Sequence, residues 1–474
     1  LFALTPDLTL GGDDAFYVIL ARSILSGTGY TNILSPSPDP HANWPPFFPA
    51  MLCPLIFFFG ENILALKLLS LFCTFGAIYV LYRIFSKYIK GDYLWVVLIF
   101  ALNPLTLSFS VNVLSEAPFL LFSFLSLLWL WKYQANPITW NKYLWLTLAA
   151  MLIAFYTRTI GTALFPAAFF FLLLKRDIKK AFLLAVLCIV GVLPWLLRGY
   201  FVGSFYAAHI LASDLVTQFF KNLVYYGGKV IGNTLFYPFL SGISREHGLF
   251  VLRCVFSAVL SILIFLGFIK RIRKKPTPIS LYTMFFFLML LIWREHDTRL
   301  LFPVLPFLIF FLVQGLGIVT RGKKAVTVFL VFVILLSSIA GDAKIIYASR
   351  YQPYTPEEQS YLEALYWIRG NTPPEAIIMC RKPSVTFYET GRKAMFFPQT
   401  YDTEMFVKEI KESKVDYVIF DALGQKWKKY RMWQAKEYLE PVIKKYPKAF
   451  VSEYRTNVPA TSVYKVNKRR LLQY

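Results

Sequence analysis

Charge is what this chain has least of. Only 16% of its 474 residues are Asp, Glu, Lys or Arg, and 57% are hydrophobic. A soluble domain of this length has no way to keep so much apolar surface from water. Cysteine is sparse too: Cys53, Cys73, Cys188 and Cys254 fall in or near apolar runs, and Cys380 stands alone in the tail. Their spacing marks neither a disulfide framework nor a zinc site. No internal repeat or low-complexity segment stands out. Repeat-built transporters carry such repeats and discontinuous spans with polar groups at the midplane, so their absence counts against that class.

What is abundant is long apolar sequence. Mean hydropathy is +0.52 and 18% of residues are aromatic. Between Asn62 and Gly341 the chain runs as apolar blocks of roughly 16 to 24 residues, the length that crosses a ~30 Å hydrocarbon core. The spans predicted are 62–85, 93–109, 116–131, 143–157, 160–174, 181–198, 249–269, 279–293, 300–319 and 325–341. The stretch 47–59 follows Pro45-Pro46 and is too short to span, so it reads as a re-entrant or interfacial helix. A polytopic α-helical membrane protein is the class these blocks define.

The net charge is +23, and its strongest clusters lie between spans, at Lys175-Arg176 with Lys179-Lys180, at Lys270 to Lys275, and at Arg321 to Lys324. That is the positive-inside pattern, not the basic groove of a nucleic-acid binder. It makes the connections near 86–92, 132–142, 175–180, 270–275 and 321–324 cytoplasmic. The lysine-poor connections near 110–115, 157–159, 199–248 and 294–299 then face outward, together with 1–61 and the tail. Leu1-Phe2-Ala3-Leu4 reads as the last turn of an apolar helix, so one further span is expected upstream, about eleven in the native protein.

Two domains are expected. The first, 1–342, is the transmembrane domain, with a first outer loop 5–61 and a long outer loop 199–248. The second, 343–474, is richer in charge and punctuated by turns at Asn371-Thr372-Pro373-Pro374, Thr390-Gly391-Arg392 and Ala422-Leu423-Gly424. Tyr361 to Arg369 reads as an amphipathic helix, and Ala376 to Met379 and Val415 to Phe420 read as strands, which makes a small extracytoplasmic α/β domain. It carries no catalytic motif.

Acids and arginines recur in the outer connections, against the charge trend. Asp13 and Asp14 open the first loop, and Tyr17 follows them at helical spacing. Glu116 begins a span in Leu114-Ser115-Glu116-Ala117-Pro118. Arg158 occupies the short turn Tyr156-Thr157-Arg158-Thr159, and Arg294 to Arg299, with His296 between them, joins two spans. Each has a plainer alternative. Asp13-Asp14 would cap a helix, Glu116 would meet a helix dipole, Arg158 would snorkel, and the Arg294–Arg299 run would be an ordinary solvated loop. Together they supply a chemistry. Arginine holds phosphate bidentately, and a carboxylate takes the proton of an attacking hydroxyl.

The order of motifs resembles the GT-C membrane glycosyltransferases, in the branch of the protein O-mannosyltransferases and the lipid A aminoarabinose transferase. Asp13-Asp14-Ala15-Phe16-Tyr17 with Leu25-Ser26-Gly27-Thr28-Gly29-Tyr30 matches the first outer loop of that family. Trp44-Pro45-Pro46-Phe47-Phe48-Pro49 resembles its Pro-Pro segment, and Leu114 to Pro118 its second acidic motif. Thr157-Arg158-Thr159-Ile160-Gly161, Leu193-Pro194-Trp195 and Arg299 to Pro306 fit later landmarks, so the likeness covers most of 7–310.

The resemblance implies an inverting transferase that uses a polyprenyl-phosphate sugar donor and a lipid, glycan or protein acceptor, in a bacterial or archaeal plasma membrane. It makes Asp13, Asp14 and Glu116 the catalytic acids. Asp13 is the general base, and Asp14 stands where relatives often have glutamate. Glu116, where they often have aspartate, orients the acceptor or, in members that use a metal, helps to bind it. Tyr17, Trp44 and His296 are the expected substrate contacts. The basic residue of the Pro-Pro segment is missing, since Asn43-Trp44 precede Pro45. Donor-phosphate binding therefore shifts to Arg158, Arg299 and Arg294. No cofactor is required; a divalent metal stays open as an alternative but is not indicated, since His41, Asp39 and His296, which could make a site, lack the diagnostic spacing. The competing functions are a transporter or flippase of lipid-linked substrates, an O-antigen-type ligase, and a non-catalytic receptor.

Overall fold

The computed structural model describes residues 2–89, 93–135, 141–203, 214–236, 249–294, 296–424, 434–457 and 459–471. Parts of the long loop 199–248 (204–213 and 237–248), and Glu295 of the Arg294–Arg299 run, lie outside the described residues. The chain folds as two compact units. One comprises Leu1–Thr5, Ala42–Met51 and Glu61–Ala348; the other comprises Pro6–His41, Leu52–Gly60 and Ser349–Tyr474. The first-loop segments 6–41 and 52–60 thus group with the C-terminal residues. Position 342 lies inside the helix Lys324–Tyr351.

The first unit is helical. Ile63–Tyr88, Ile178–Phe201, Leu249–Lys274, Thr298–Val319 and the helix from Lys324 are long and apolar enough to cross a membrane. Lys142–Thr157, Thr159–Leu174 and Pro278–Ile292 are shorter apolar helices. Exposed Phe72, Phe182, Ile189, Val251, Ile262 and Phe329 give these helices an apolar exterior, which suits lipid better than water. Polar caps punctuate them. Asn62 accepts from the Ala65 N–H, Asn141 from Tyr143, and Thr277 closes a capping box with Ser280 behind Pro278.

The predicted span 93–109 is two helices, Leu94–Ala101 and Pro104–Ser110. Pro104 pushes Asn103 out of helical geometry, to φ −78° and ψ 135°. The Asn103 side chain then caps the second helix at Leu105 N–H and donates to the Thr234 carbonyl at 3.0 Å. Aromatic rings fill the interior around this break, with Phe302 centred 5.6 Å from Phe100 and 4.7 Å from Phe109.

The second unit contains a five-stranded sheet in the order Lys393–Phe396, Ile377–Cys380, Tyr417–Phe420, Ser462–Val466, Phe450–Arg455. The first three strands are parallel and the last two pairings antiparallel. Strand alternation sorts two cores. Ile378, Cys380, Tyr417, Ile419 and Val463 pack with Tyr361, Leu365 and Ile368 of the helix Pro356–Asn371. Met379, Val418 and Val466 pack with Phe406 and Ile410 of Thr403–Glu412 and with Leu439 and Val442. Leu10, from the first loop, is buried in the former core. The Leu34 carbonyl accepts from Ala394 N–H at 2.9 Å at the sheet edge. These interactions help tie the segment 6–41 into this unit.

Candidate functional site

Within the second unit, Asp13 stands at the first turn of the helix Asp13–Leu25. Gly12 precedes it at φ +95°, a left-handed conformation that a side chain resists. A Cβ there would also lie 2.8 Å from the Ser384 hydroxyl. The turn is held from the C-terminal residues. The Lys382 ammonium donates to the Gly11 carbonyl and the Ser384 hydroxyl to the Gly12 carbonyl, each at 2.9 Å. Further along the helix, the Arg22 guanidinium lies 5.0 Å over the Tyr388 ring. Asp13 itself is half-buried; its position places a carboxylate at a positive helix end.

Asp14 has a different environment. It is fully buried, and its carboxylate accepts from the N–H groups of Thr9 at 2.5 Å and Ala15 at 2.9 Å. These bonds pin the loop to the start of the helix. Tyr17 is buried one turn on. His41 packs edge-on against Phe16 and Tyr30, at centroid distances of 5.1 and 5.5 Å. Asp39 is exposed.

In the first unit the structure brings Glu116 and Arg158 together. Arg158 Nη1 lies 2.5 Å from Glu116 Oε1 and 3.1 Å from the Ser115 hydroxyl. The Glu116 side chain is 2% exposed and that of Arg158 19%. Both described side-chain contacts of Arg158 run through Nη1, so its other guanidinium N–H groups have no partner among the described residues. Glu116 Oε2 is buried and also without a hydrogen-bond partner there. Arg158 closes the helix Lys142–Thr157 and opens the 3-10 turn Thr159–Ala163. That turn folds back tightly: a Cβ on Gly161 would meet Phe155 N at 2.8 Å and Ala154 C at 2.9 Å. Glycine at 161 is thus what allows so short a reversal to present an arginine.

Asp297 organises the other arginine connection. Its carboxylate caps the 3-10 helix Thr298–Val304 at the Arg299 N–H and lies 2.8 Å from Arg299 Nε. Arg294 and His296 are exposed, and the His296 ring stands edge-on to Tyr225 at 4.8 Å. The helix Leu215–Tyr225 fastens this connection. Buried Asn222 donates to the carbonyls of Leu290, Leu291 and Trp293, and Gln218 donates to those of Trp293 and Arg294. Sequence reasoning misses both residues. An Asn and a Gln four apart on an amphipathic helix are the available signal.

Lys67 escapes it as well. It is 1% exposed in the helix Ile63–Tyr88, with its ammonium on the Thr5 carbonyl at 2.9 Å and hydroxyl at 3.1 Å. A lysine inside an apolar block is itself a signal of a specific role. Trp44 is half-buried ahead of the Pro45-Pro46 turn, and Phe47 stands edge-on to Phe122 at 5.6 Å. Among the described residues no group of three or more His, Cys, Asp or Glu is arranged to hold a metal ion.

No family model and no curated protein matches the chain, but solved structures match its fold. ArnT from Cupriavidus metallidurans in the apo state aligns with TM-score 0.59 and 13% identity, over 98% of this chain and 95% of that one. The same protein bound to undecaprenyl phosphate aligns with TM-score 0.55 and 14% identity, over 98% and 96%. The oligosaccharyltransferase AglB from Archaeoglobus fulgidus, in complex with an inhibitory peptide and a dolichol-phosphate, gives 0.59 and 13%, over 98% of this chain and 72% of that one. These neighbours are GT-C membrane enzymes, and the GT-C fold with a small C-terminal sheet is the fold of this chain.

Proposed function

We propose that this protein is an inverting glycosyltransferase that moves a sugar from a polyprenyl-phosphate donor to a hydroxyl at the extracytoplasmic membrane face. The observation that carries the proposal is the GT-C fold, shared along almost the whole chain with proteins solved holding undecaprenyl phosphate and dolichol-phosphate.

Roles follow from local chemistry. Asp13, half-buried at a helix start, takes the proton from the acceptor hydroxyl as its oxygen attacks the anomeric carbon. The bond from that carbon to the phosphate oxygen breaks on the opposite face, and polyprenyl phosphate leaves. Arg158, with Arg299 and Arg294, meets the charge of the phosphate, Arg158 through the N–H groups that Glu116 does not use. Asp14 holds the loop and Glu116 aims Arg158. Tyr17, Trp44 and His296 are assigned to substrate contact. A phosphate monoester is a competent leaving group once its charge is met, so the step calls for no metal ion.

The test is transfer by the purified protein from a polyprenyl-phosphate sugar, with a diphosphate-linked glycan as the contrasting donor. Asp13→Asn keeps size and removes the proton acceptor, so the rate should fall by about 10²–10⁴-fold with the thermal midpoint unchanged. A near-parental rate would remove Asp13 from the mechanism. Transfer only from the diphosphate donor would make the protein a ligase of the O-antigen type.

A further inference from the structure

The Asp13 turn is built from two distant stretches of chain. Gly11 and Gly12 supply two carbonyls immediately before the acid, and the loop after the strand Ile377–Cys380 supplies a donor to each. Lys382 and Ser384 are two residues apart, at the start of the helix Pro383–Thr390. The Gly12 carbonyl also accepts from the Phe16 N–H at 3.0 Å, which begins the helix that carries Asp13. A shift of this C-terminal loop would therefore move the first turn of that helix.

We infer that Lys382 is a positioning residue for Asp13: its ammonium, seated on the Gly11 carbonyl, fixes the turn that presents the carboxylate and places a cation beside it. The inference rests on the reading of Asp13 as general base. It gives the C-terminal residues a part in the chemistry, although their own sequence holds no catalytic motif.

Lys382 is a costly residue to place there. Burial and neighbouring Arg381 push its pKa below the ordinary lysine value, while Asp13, Asp421 and Glu358 pull it back up. Asp421, fully buried behind the loop, is pushed by burial up to about 7. A surface tether would need none of this; a hydroxyl such as that of Ser384 already bonds a carbonyl. The positive charge is the feature that a purely structural bond does not explain. Because its pKa is lowered, Lys382 loses that charge at a lower alkaline pH than an ordinary lysine, and transfer should fail with it.

The test compares Lys382→Met, Lys382→Arg and Ser384→Ala in the full chain, reconstituted with a polyprenyl-phosphate sugar donor. Lys382→Met should lower kcat about tenfold or more, with donor KM within about twofold and the donor-free thermal midpoint little changed. Lys382→Arg should recover most of the rate and extend activity to higher pH, since a guanidinium stays charged there. Ser384→Ala should cost less than Lys382→Met. If Lys382→Met proves unstable, the alkaline limb of Lys382→Arg decides alone. A limb identical to that of the parent, or a parental kcat in Lys382→Met, would overturn the inference. Asp13→Asn run alongside separates the cases: if it too keeps the parental rate, the base assignment itself has failed.

Discussion

A guanidinium drawn out of water needs an anion, and at Arg158 the anion is Glu116, 2.5 Å away. Removing one member of a buried pair costs about 3–5 kcal/mol because the other is stranded. Partial exposure of Arg158 brings the cost below that range. Arg158→Ala should therefore lower the thermal midpoint without donor, and adding Glu116→Gln should restore it. If Arg158 also meets the donor phosphate, added polyprenyl phosphate should stabilise neither variant. Retention of that ligand-induced shift in the double variant would pass the phosphate role to Arg299 or Arg294. Sequence marks both members of this pair but leaves open whether Arg158 snorkels, meets a carboxylate or meets a phosphate. Nothing in the order of residues says that 116 and 158 share a contact.

Among elements, the helices Leu249–Lys274 and Leu305–Val319 approach each other backbone to backbone. A Cβ on Gly267 would lie 1.9 Å from the Phe311 carbonyl oxygen, and one on Gly315 would lie 1.8 Å from that of Leu263. Backbone touches backbone, which only glycine permits, and lipid-embedded helices gain their association from such close packing. Gly315→Val should force the helices apart and cost at least the 1–3 kcal/mol typical of overpacking, read as a lowered thermal midpoint in detergent. Gly317→Ala is the control: nothing lies within 4 Å of its Cβ, so stability should hold or rise slightly. An equal loss in both would sink the close-contact account. The apolar blocks show that helices form here. They are silent on which pair touches, because a glycine in an apolar run looks the same whether it faces lipid or a carbonyl.

For the whole molecule, the charge bias makes a directional prediction. With native cysteines replaced, a cysteine at Lys179, exposed in the first turn of Ile178–Phe201, or at Lys323, exposed between apolar helices, should react only with reagent admitted to the cytoplasmic side. One at Asp39 or Glu412, exposed in the other unit, should react from outside in intact cells. Labelling of Lys323 and Glu412 from the same side would overturn the topology, and with it the extracytoplasmic placement of the reaction.

Composition and periodicity by themselves determined that this is a helical membrane protein with a small α/β unit at its end, because apolar length and strand alternation are local properties. They also marked Asp13, Glu116, Arg158 and Arg299, because charge beside an apolar block is conspicuous wherever it occurs. Only tertiary structure decided what those residues do to one another. Asp14 turned out to hold a loop, Glu116 to hold Arg158, and Lys382 and Ser384 to hold the turn before Asp13 from some 370 residues away. A hydrogen bond depends on position within a few tenths of an ångström, and the folded backbone alone sets such positions between distant parts of the chain.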